Sequence, residues 1–149
     1  MQLLKTFSGA FAIVVATAFT TCQSQTIVGK WKMISSTSYF TAEGAARQGK
    51  SFLTNPVPST TSISTEFKSD DAYTTTTSTA TNPTPNTIGG NWSLTGDRLT
   101  ITVDPKYKPS DELKSSTITI SITGNTMIMT NNIIPNTMVS KMTTKAERI

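Results

Sequence analysis

The side chains able to do chemistry are few, and their spacing does not favour it. The 149-residue chain has no histidine and one cysteine, Cys22. Without histidine there is no Ser-His-Asp triad, no Cys-His pair and no imidazole metal ligand. A single thiol makes neither an internal disulfide nor a cysteine-based zinc site. The carboxylates occur as adjacent pairs, Asp70-Asp71 and Asp111-Glu112. Neighbours in a strand point to opposite faces and neighbours in a turn face water. General acid–base work needs two carboxylates that converge on one substrate with separated pKa values. Glu66, Asp70 and Asp71 offer oxygen ligands, but without the alternating spacing of a calcium loop, and no glycine loop cradles phosphate. The expectation is therefore no enzyme, no catalytic residue, no metal and no cofactor. The net charge is +4, and the basic residues are scattered rather than clustered with aromatics, so no nucleic-acid partner is expected.

The cysteine is informative by its position. Lys5 gives a weakly positive start, and Phe7–Phe19 is an uncharged apolar run, long enough for a signal-peptide core but shorter than the roughly 20 residues of a membrane-spanning helix. Phe19-Thr20-Thr21-Cys22 follows, then polar Gln23-Ser24-Gln25. A lone cysteine directly after such a run resembles a bacterial lipoprotein signal, in which the thiol takes a diacylglycerol and becomes the first mature residue. Thr21 and Phe19 stand where that signal usually has a small and an aliphatic residue. The alternative is ordinary cleavage at Ala16-Thr17-Ala18, after Ala18, giving a soluble secreted protein. The division expected is a lipoprotein signal peptide over 1–21, a short tether over 22–25 and one domain over 26–149, with Cys22 as the lipidation site and the membrane as a partner through it.

The elements that must position everything else read as strands. Thirty threonines and 17 serines make up almost a third of the chain, and β-branched threonine favours strands. Alternation marks strands over 26–34 (Ile27, Trp31 and Met33 inward), 61–68 (Ile63 and Phe67), 72–80, 87–95 (Trp92 and Leu94), 98–103 (Leu99, Ile101 and Val103), 116–123 (Ile118, Ile120 and Ile122), 126–130 and 137–144 (Met138 and Met142). Ser69-Asp70-Asp71, Gly96-Asp97 and Gly124-Asn125 read as tight turns. Residues 39–59 break the pattern: a helical turn over Ala42–Gln48 is stopped by Pro56 and Pro58, and the stretch suits a lid. Asn82–Asn86 and Asp104–Leu113 read as loops, Asn131–Asn136 as a turn around Pro135, and the last residues as a polar end that frays. Eight one-faced strands in a single domain satisfy the closure of an up-and-down antiparallel barrel. A two-sheet sandwich has similar periodicity.

Several blocks resemble one family and favour the barrel. Gly29-Lys30-Trp31 is the G-x-W of the lipocalin-like (calycin) barrels. Thr65–Tyr73 (TEFKSDDAY) resembles a hairpin common in small lipocalin-like lipoproteins of the Bacteroidota, with Asp71 in place of its glycine. Asn91–Ile101 (NWSLTGDRLTI) and Ile120–Met127 (ISITGNTM) are similar to later hairpins of that group, in the same order. The resemblance implies an all-β protein, an eight-stranded lipocalin-like barrel following the signal peptide. It also implies a basic residue stacked on the G-x-W tryptophan, for which Lys141, Lys145 and Arg148 are available.

Such a barrel is expected to bind a small apolar or amphipathic ligand, lined by Trp31, Met33, Phe67, Tyr73, Trp92, Ile120, Met129 and Met138. Each candidate has a purely structural reading: the tryptophans as plugs of the barrel ends, and the methionines as filler of an irregular core. The Thr74–Thr77 run either wets the cavity or forms weakly packed wall. The resemblance implies a monomeric outer-membrane lipoprotein, the periplasmic side slightly favoured over the cell surface because no acidic run follows Cys22. The alternative is a filled-core barrel acting as a protein-interaction or inhibitor module of the envelope.

Overall fold

The computed structural model describes residues 26–109, 114–132 and 138–149. Cys22 and the leader, the Asp111-Glu112 pair and the turn around Pro135 lie outside the described residues. The strands are β1 (Gly29–Phe40), β2 (Phe52–Pro56), β3 (Thr61–Phe67), β4 (Ala72–Thr79), β5 (Asn82–Thr95), β6 (Arg98–Val103), β7 (Ser115–Thr123), β8 (Thr126–Asn132) and β9 (Val139–Arg148); α1 (Ala42–Gln48) lies between β1 and β2. All pair antiparallel in the order β2-β1-β3-β4-β5-β6-β7-β8-β9, and β1 pairs again with β9. That last pairing, from Trp31↔Arg148 to Phe40↔Val139, closes eight strands into a barrel. It also decides against the sandwich, whose sheets keep free edges.

The ninth strand comes from the stretch expected as a lid. The helical turn forms as α1, its first turn capped by the Thr41 side chain accepting from Gly44 N–H. Beyond it, Phe52–Pro56 returns as β2 along β1. The same edge of β1 pairs first with β3 (Gly29–Lys32) and then with β2 (Ser35–Tyr39). A register shift between Met33 and Ser35 lies at the changeover, where bulges commonly re-aim a strand. Residues 39–59 thus raise one side of the barrel wall instead of lying loose over it. Periodicity could not show this: β2 is exposed along its whole length, so no buried face imposes alternation on it.

Two further expectations are corrected. Asn82–Asn86 is the start of β5, not a loop. β6 joins β5 only from Gly90 onward, which leaves the early half an edge, and edges tolerate proline because no second neighbour needs its N–H. The C-terminus does not fray. Lys145–Arg148 continues β9, where Ala146 is buried and pairs with Met33 and Met127. Lys145 and Glu147 sit on the outer face, while Ala146 and Arg148 share the inner one, opposite Met33 and Trp31.

The tight turns are as expected. Gly96 and Gly124 both take positive φ between paired ends, Thr95↔Arg98 and Thr123↔Thr126. Asp71, in the glycine position, adopts φ 62°, a conformation that short polar side chains tolerate. Asp70 accepts a hydrogen bond from Ala72 N–H at 3.2 Å, so this carboxylate pair serves a solvated turn.

The core is gathered at one end. Ile27, Trp31, Phe67, Tyr73, Leu99, Ile120, Met127 and Ala146 form a single buried cluster, with Trp92, Ile118, Ile122 and Met129 packed against it. These come from every barrel strand, so the cluster fills the end where the N-terminal segment, the hairpin turns and the C-terminus meet.

Candidate functional site

The filled end is sealed by one arrangement. The Trp31 indole N–H donates to the Ile27 carbonyl at 2.7 Å. The Arg148 guanidinium lies 4.5 Å from the centre of the Trp31 ring and donates to the carbonyls of Thr26 (2.6 Å) and Val28 (3.3 Å). Of the three basic residues available to stack on Trp31, Arg148 is the one that does. Its planar fork suits it to hold a ring and two carbonyls at once. Trp92 lies edge-on to Phe67 with centroids 5.7 Å apart, and its N–H donates to the Lys68 carbonyl at 3.2 Å.

The opposite end is hollow. Directly paired antiparallel residues share a face, so the register traces the inner rows. One row runs Phe67, Tyr73, Gly90, Val103, another runs Thr65, Thr75, Ile88, and a third runs Trp92, Ile101, Ser116. Each starts in or near the packed end and climbs, with strand tilt, toward the mouth. A cavity of about 480 Å³ opens where they arrive. Tyr73 is part of its floor, Ile88, Ile101 and Val103 supply apolar wall, and Thr75 and Ser116 supply hydroxyls. The rim is the β6–β7 connection, a 3-10 turn over Pro105–Tyr107 followed by Lys108 and Pro109, with Tyr107, Lys108 and Pro109 lining the space. Thr75 also shares a hydrogen bond with Thr65, Oγ1 to Oγ1 at 2.9 Å, and of the Thr74–Thr77 run it is the residue that lines the cavity.

Of the eight side chains expected as lining, Tyr73 lines this cavity. Trp31, Phe67 and Ile120 belong to the packed end, and Trp92 and Met129 lean on it. Met33 is half-buried and pairs with Ala146. Met138, just before β9, is 44% exposed, and its carbonyl accepts from Thr41 N–H at 2.9 Å. The segment expected as lid contributes no lining residue. Ile101 and Val103 are in phase in the sequence, and Thr75 belongs to the threonine run whose inner face could wet a cavity. Tyr107 and Lys108 had only one signal, an aromatic and a basic residue held between Pro105 and Pro109.

Electrostatically the site is quiet but not neutral. Burial, with a smaller push from the neighbouring Tyr107 phenol, raises the Tyr73 hydroxyl above its usual pKa of 10.0, so it stays a neutral donor. Asp104, just outside, accepts a hydrogen bond from the backbone N–H of Lys106 at 2.9 Å and pairs with its ammonium at 3.1 Å. Those two bonds hold the carboxyl below its ordinary range, and the ion pair raises Lys106 in turn. Among the described residues no three of His, Cys, Asp and Glu gather to hold a metal.

A closed antiparallel barrel of eight strands, stoppered at one end by a tryptophan–arginine stack and hollow at the other, is the architecture of a lipocalin-like barrel. The chain belongs to the lipocalin-like domain family, whose model matches residues 27–132. Among solved structures it is similar to a lipocalin-like protein from Bacteroides uniformis, at 12% identity and a TM-score of 0.56, over 82% of this chain and 97% of that one. It is also similar to an uncharacterized protein from Bacteroides eggerthii, at 13% identity and a TM-score of 0.52, over 82% and 98%. At such identities the likeness is one of fold. No curated protein matches the chain.

Proposed function

We propose that this protein is a lipid-anchored, non-enzymatic lipocalin-like barrel of a bacterial outer membrane that holds one small apolar or amphipathic molecule in the hollow end. The observation that carries the reading is the cavity of about 480 Å³. It falls within the range of roughly 300–1,000 Å³ typical of small-molecule sites and has their composition, apolar walls with a few polar groups. A barrel acting only by surface contact needs no such space. Affinity would come from burying apolar ligand surface, at about 25 cal/mol per Å², and orientation from the Thr75, Ser116 and phenolic hydroxyls.

The anchor proposed is acylated Cys22, after removal of residues 1–21, with the periplasmic face favoured. Thr26 and Val28 are tied to Arg148 at the stoppered end. A tether of four residues spans at most about 14 Å, so an anchor at residue 22 would set that end against the bilayer and turn the mouth away from it. The ligand would then exchange with the aqueous side rather than with the underlying lipid.

Mass spectrometry of protein isolated from its native envelope tests both parts. The expected result is a diacylglycerol-modified Cys22 together with a co-purifying small molecule that Ile88→Trp, which fills the cavity, fails to retain. A Cys22→Ser variant should leave the membrane fraction. Unchanged fractionation would refute the anchor, and equal small-molecule content in the Ile88→Trp protein would refute the site.

A further inference from the structure

We infer that the free edge of β2 pairs antiparallel with β2 of a second copy of this chain, about a two-fold axis through Thr54. β2 has one strand neighbour, β1, and its five residues are all exposed. Phe52 is 55% exposed and Leu53 36%. Hydrogen bonds at its two ends fix the direction in which its backbone points. Phe40 N–H donates to the Ser51 carbonyl and Val57 N–H to the Ile34 carbonyl, each at 2.9 Å. Hydrogen-bonding sides alternate along an antiparallel strand, so Ser51, Leu53, Asn55 and Val57 face β1. Phe52, Thr54 and Pro56 turn their backbone groups away from it, toward no strand among the described residues.

That outward set is symmetric about Thr54, which makes the edge complementary to itself. In a two-fold pairing Thr54 meets Thr54 of the second copy, and the two exchange both hydrogen bonds. Phe52 falls opposite the second copy's Pro56, and its N–H donates to that proline's carbonyl. The donor that Pro56 lacks is missed only at the ends of the pairing. A two-fold axis normal to the sheet keeps outer face with outer face, so the Phe52 ring lies against the second copy's proline ring. The outer surface already carries a row of threonines across five paired strands: Thr119, Thr130, Thr143, Thr37 and Thr54. Its last step is an Oγ1–Oγ1 hydrogen bond of 2.9 Å between Thr37 and Thr54, and the pairing extends the row into the second copy.

Charge and edge protection point the same way. β2 is uncharged throughout, so two copies oppose no like charges. Edge strands are commonly blunted by lysine, by inward charge or by proline. The early half of β5, also an edge, has Pro83 and Pro85. β2 has only Pro56, at a position where the symmetric pairing uses the carbonyl. The same axis turns one barrel over, so the two mouths open in opposite directions. Copies anchored side by side in one leaflet through Cys22 could not pair this way, whereas copies on facing surfaces or free of the membrane can.

Sedimentation velocity of unacylated protein (residues 22–149 with Cys22→Ser) tests the pairing, which rests on neither the cavity nor the anchor. A pairing this short lies at the small end of specific interfaces, so a monomer–dimer equilibrium with Kd on the order of 10–100 μM is expected. Thr54→Pro removes an N–H that points away from β1 and should weaken the dimer by about tenfold or more, with the monomer still folded by circular dichroism. Phe52→Ser, at an exposed position, should weaken it several-fold. In the same background, mixing Leu53→Cys with Asn55→Cys protein sets two thiols directly opposite, so the mixed disulfide should exceed either symmetric one. A monomer up to about 1 mM, ten times the weakest Kd expected, would leave the edge to a strand of some other protein and overturn the proposal. So would a dimer unmoved by both Thr54→Pro and Phe52→Ser, or disulfides that favour a symmetric product.

Discussion

Replacing Arg148 by alanine removes three interactions at once. The guanidinium loses its place 4.5 Å from the Trp31 ring, a contact worth about 1 kcal/mol when partly desolvated. It also loses charge-assisted hydrogen bonds to Thr26 O and Val28 O. Such bonds contribute about 1.5–3 kcal/mol each when buried, but the Thr26 end is exposed and water can replace it. A total of about 3 kcal/mol is therefore expected. With a urea m-value of about 2 kcal/mol/M, the unfolding midpoint should fall by about 1.5 M, and Tm by about 10 °C for a domain of this size. The m-value itself should not change, because the surface exposed on unfolding is nearly the same. Arg148→Lys keeps the cation but not the fork and should lose about half as much. A double-mutant cycle with Trp31→Phe should return a coupling of about 1 kcal/mol. Should Arg148→Ala unfold within about 0.5 kcal/mol of the parent, the stopper is decoration and the barrel end is held by apolar packing alone.

Other expectations follow from single positions. A Cβ at Gly90 would lie 1.9 Å from the Thr102 carbonyl oxygen of the paired strand, so Gly90→Ala should cost more than about 3 kcal/mol by denaturation or block folding altogether. The raised pKa of Tyr73 makes its contribution to stability full below pH 10 and lost as pH climbs from 10 through the higher folded value. Tyr73→Phe should flatten that alkaline decline in pH-dependent unfolding. Ile88→Trp, at a half-exposed wall position, should abolish retention of the co-purifying small molecule while moving Tm by no more than a few degrees. Trp31→Ala, at a residue 1% exposed, should cost about 4 kcal/mol.

The barrel was legible where one face is buried and the other wet. Ile118, Ile120 and Ile122 alternate with Thr117, Thr119 and Ser121, and the strand they imply is there, starting one residue early. The early half of β5 and the last residues of β9 were not legible. Pro83 and Pro85 are tolerated only because β6 has not yet joined, and Ala146 is too small to announce a buried position. The site divided along the same line. Aromatic and methionine residues attract attention because they are large, yet large side chains fill space, and here Trp31, Phe67 and Met127 fill the stoppered end. A cavity is made where side chains are small or medium, so Thr75, Ile88 and Ser116 mark it better. Their contribution depends on strand tilt, which carries each row from one end of the barrel to the other and has no one-dimensional signature.

The seam between β1 and β9 has a kinetic consequence. Val28 and Arg148, 120 residues apart, meet across it, as do all the pairs that close the barrel. Neighbouring hairpins can zip as they emerge, since each needs only a short turn, but the ring stays an open sheet until the final ten residues arrive. Loop-closure entropy for that last pairing is lost before any of its contacts form. Truncation within β9 should therefore leave an aggregation-prone sheet with two bare edges instead of a slightly shortened barrel. The chain commits to its closed topology only when β9 pairs with β1.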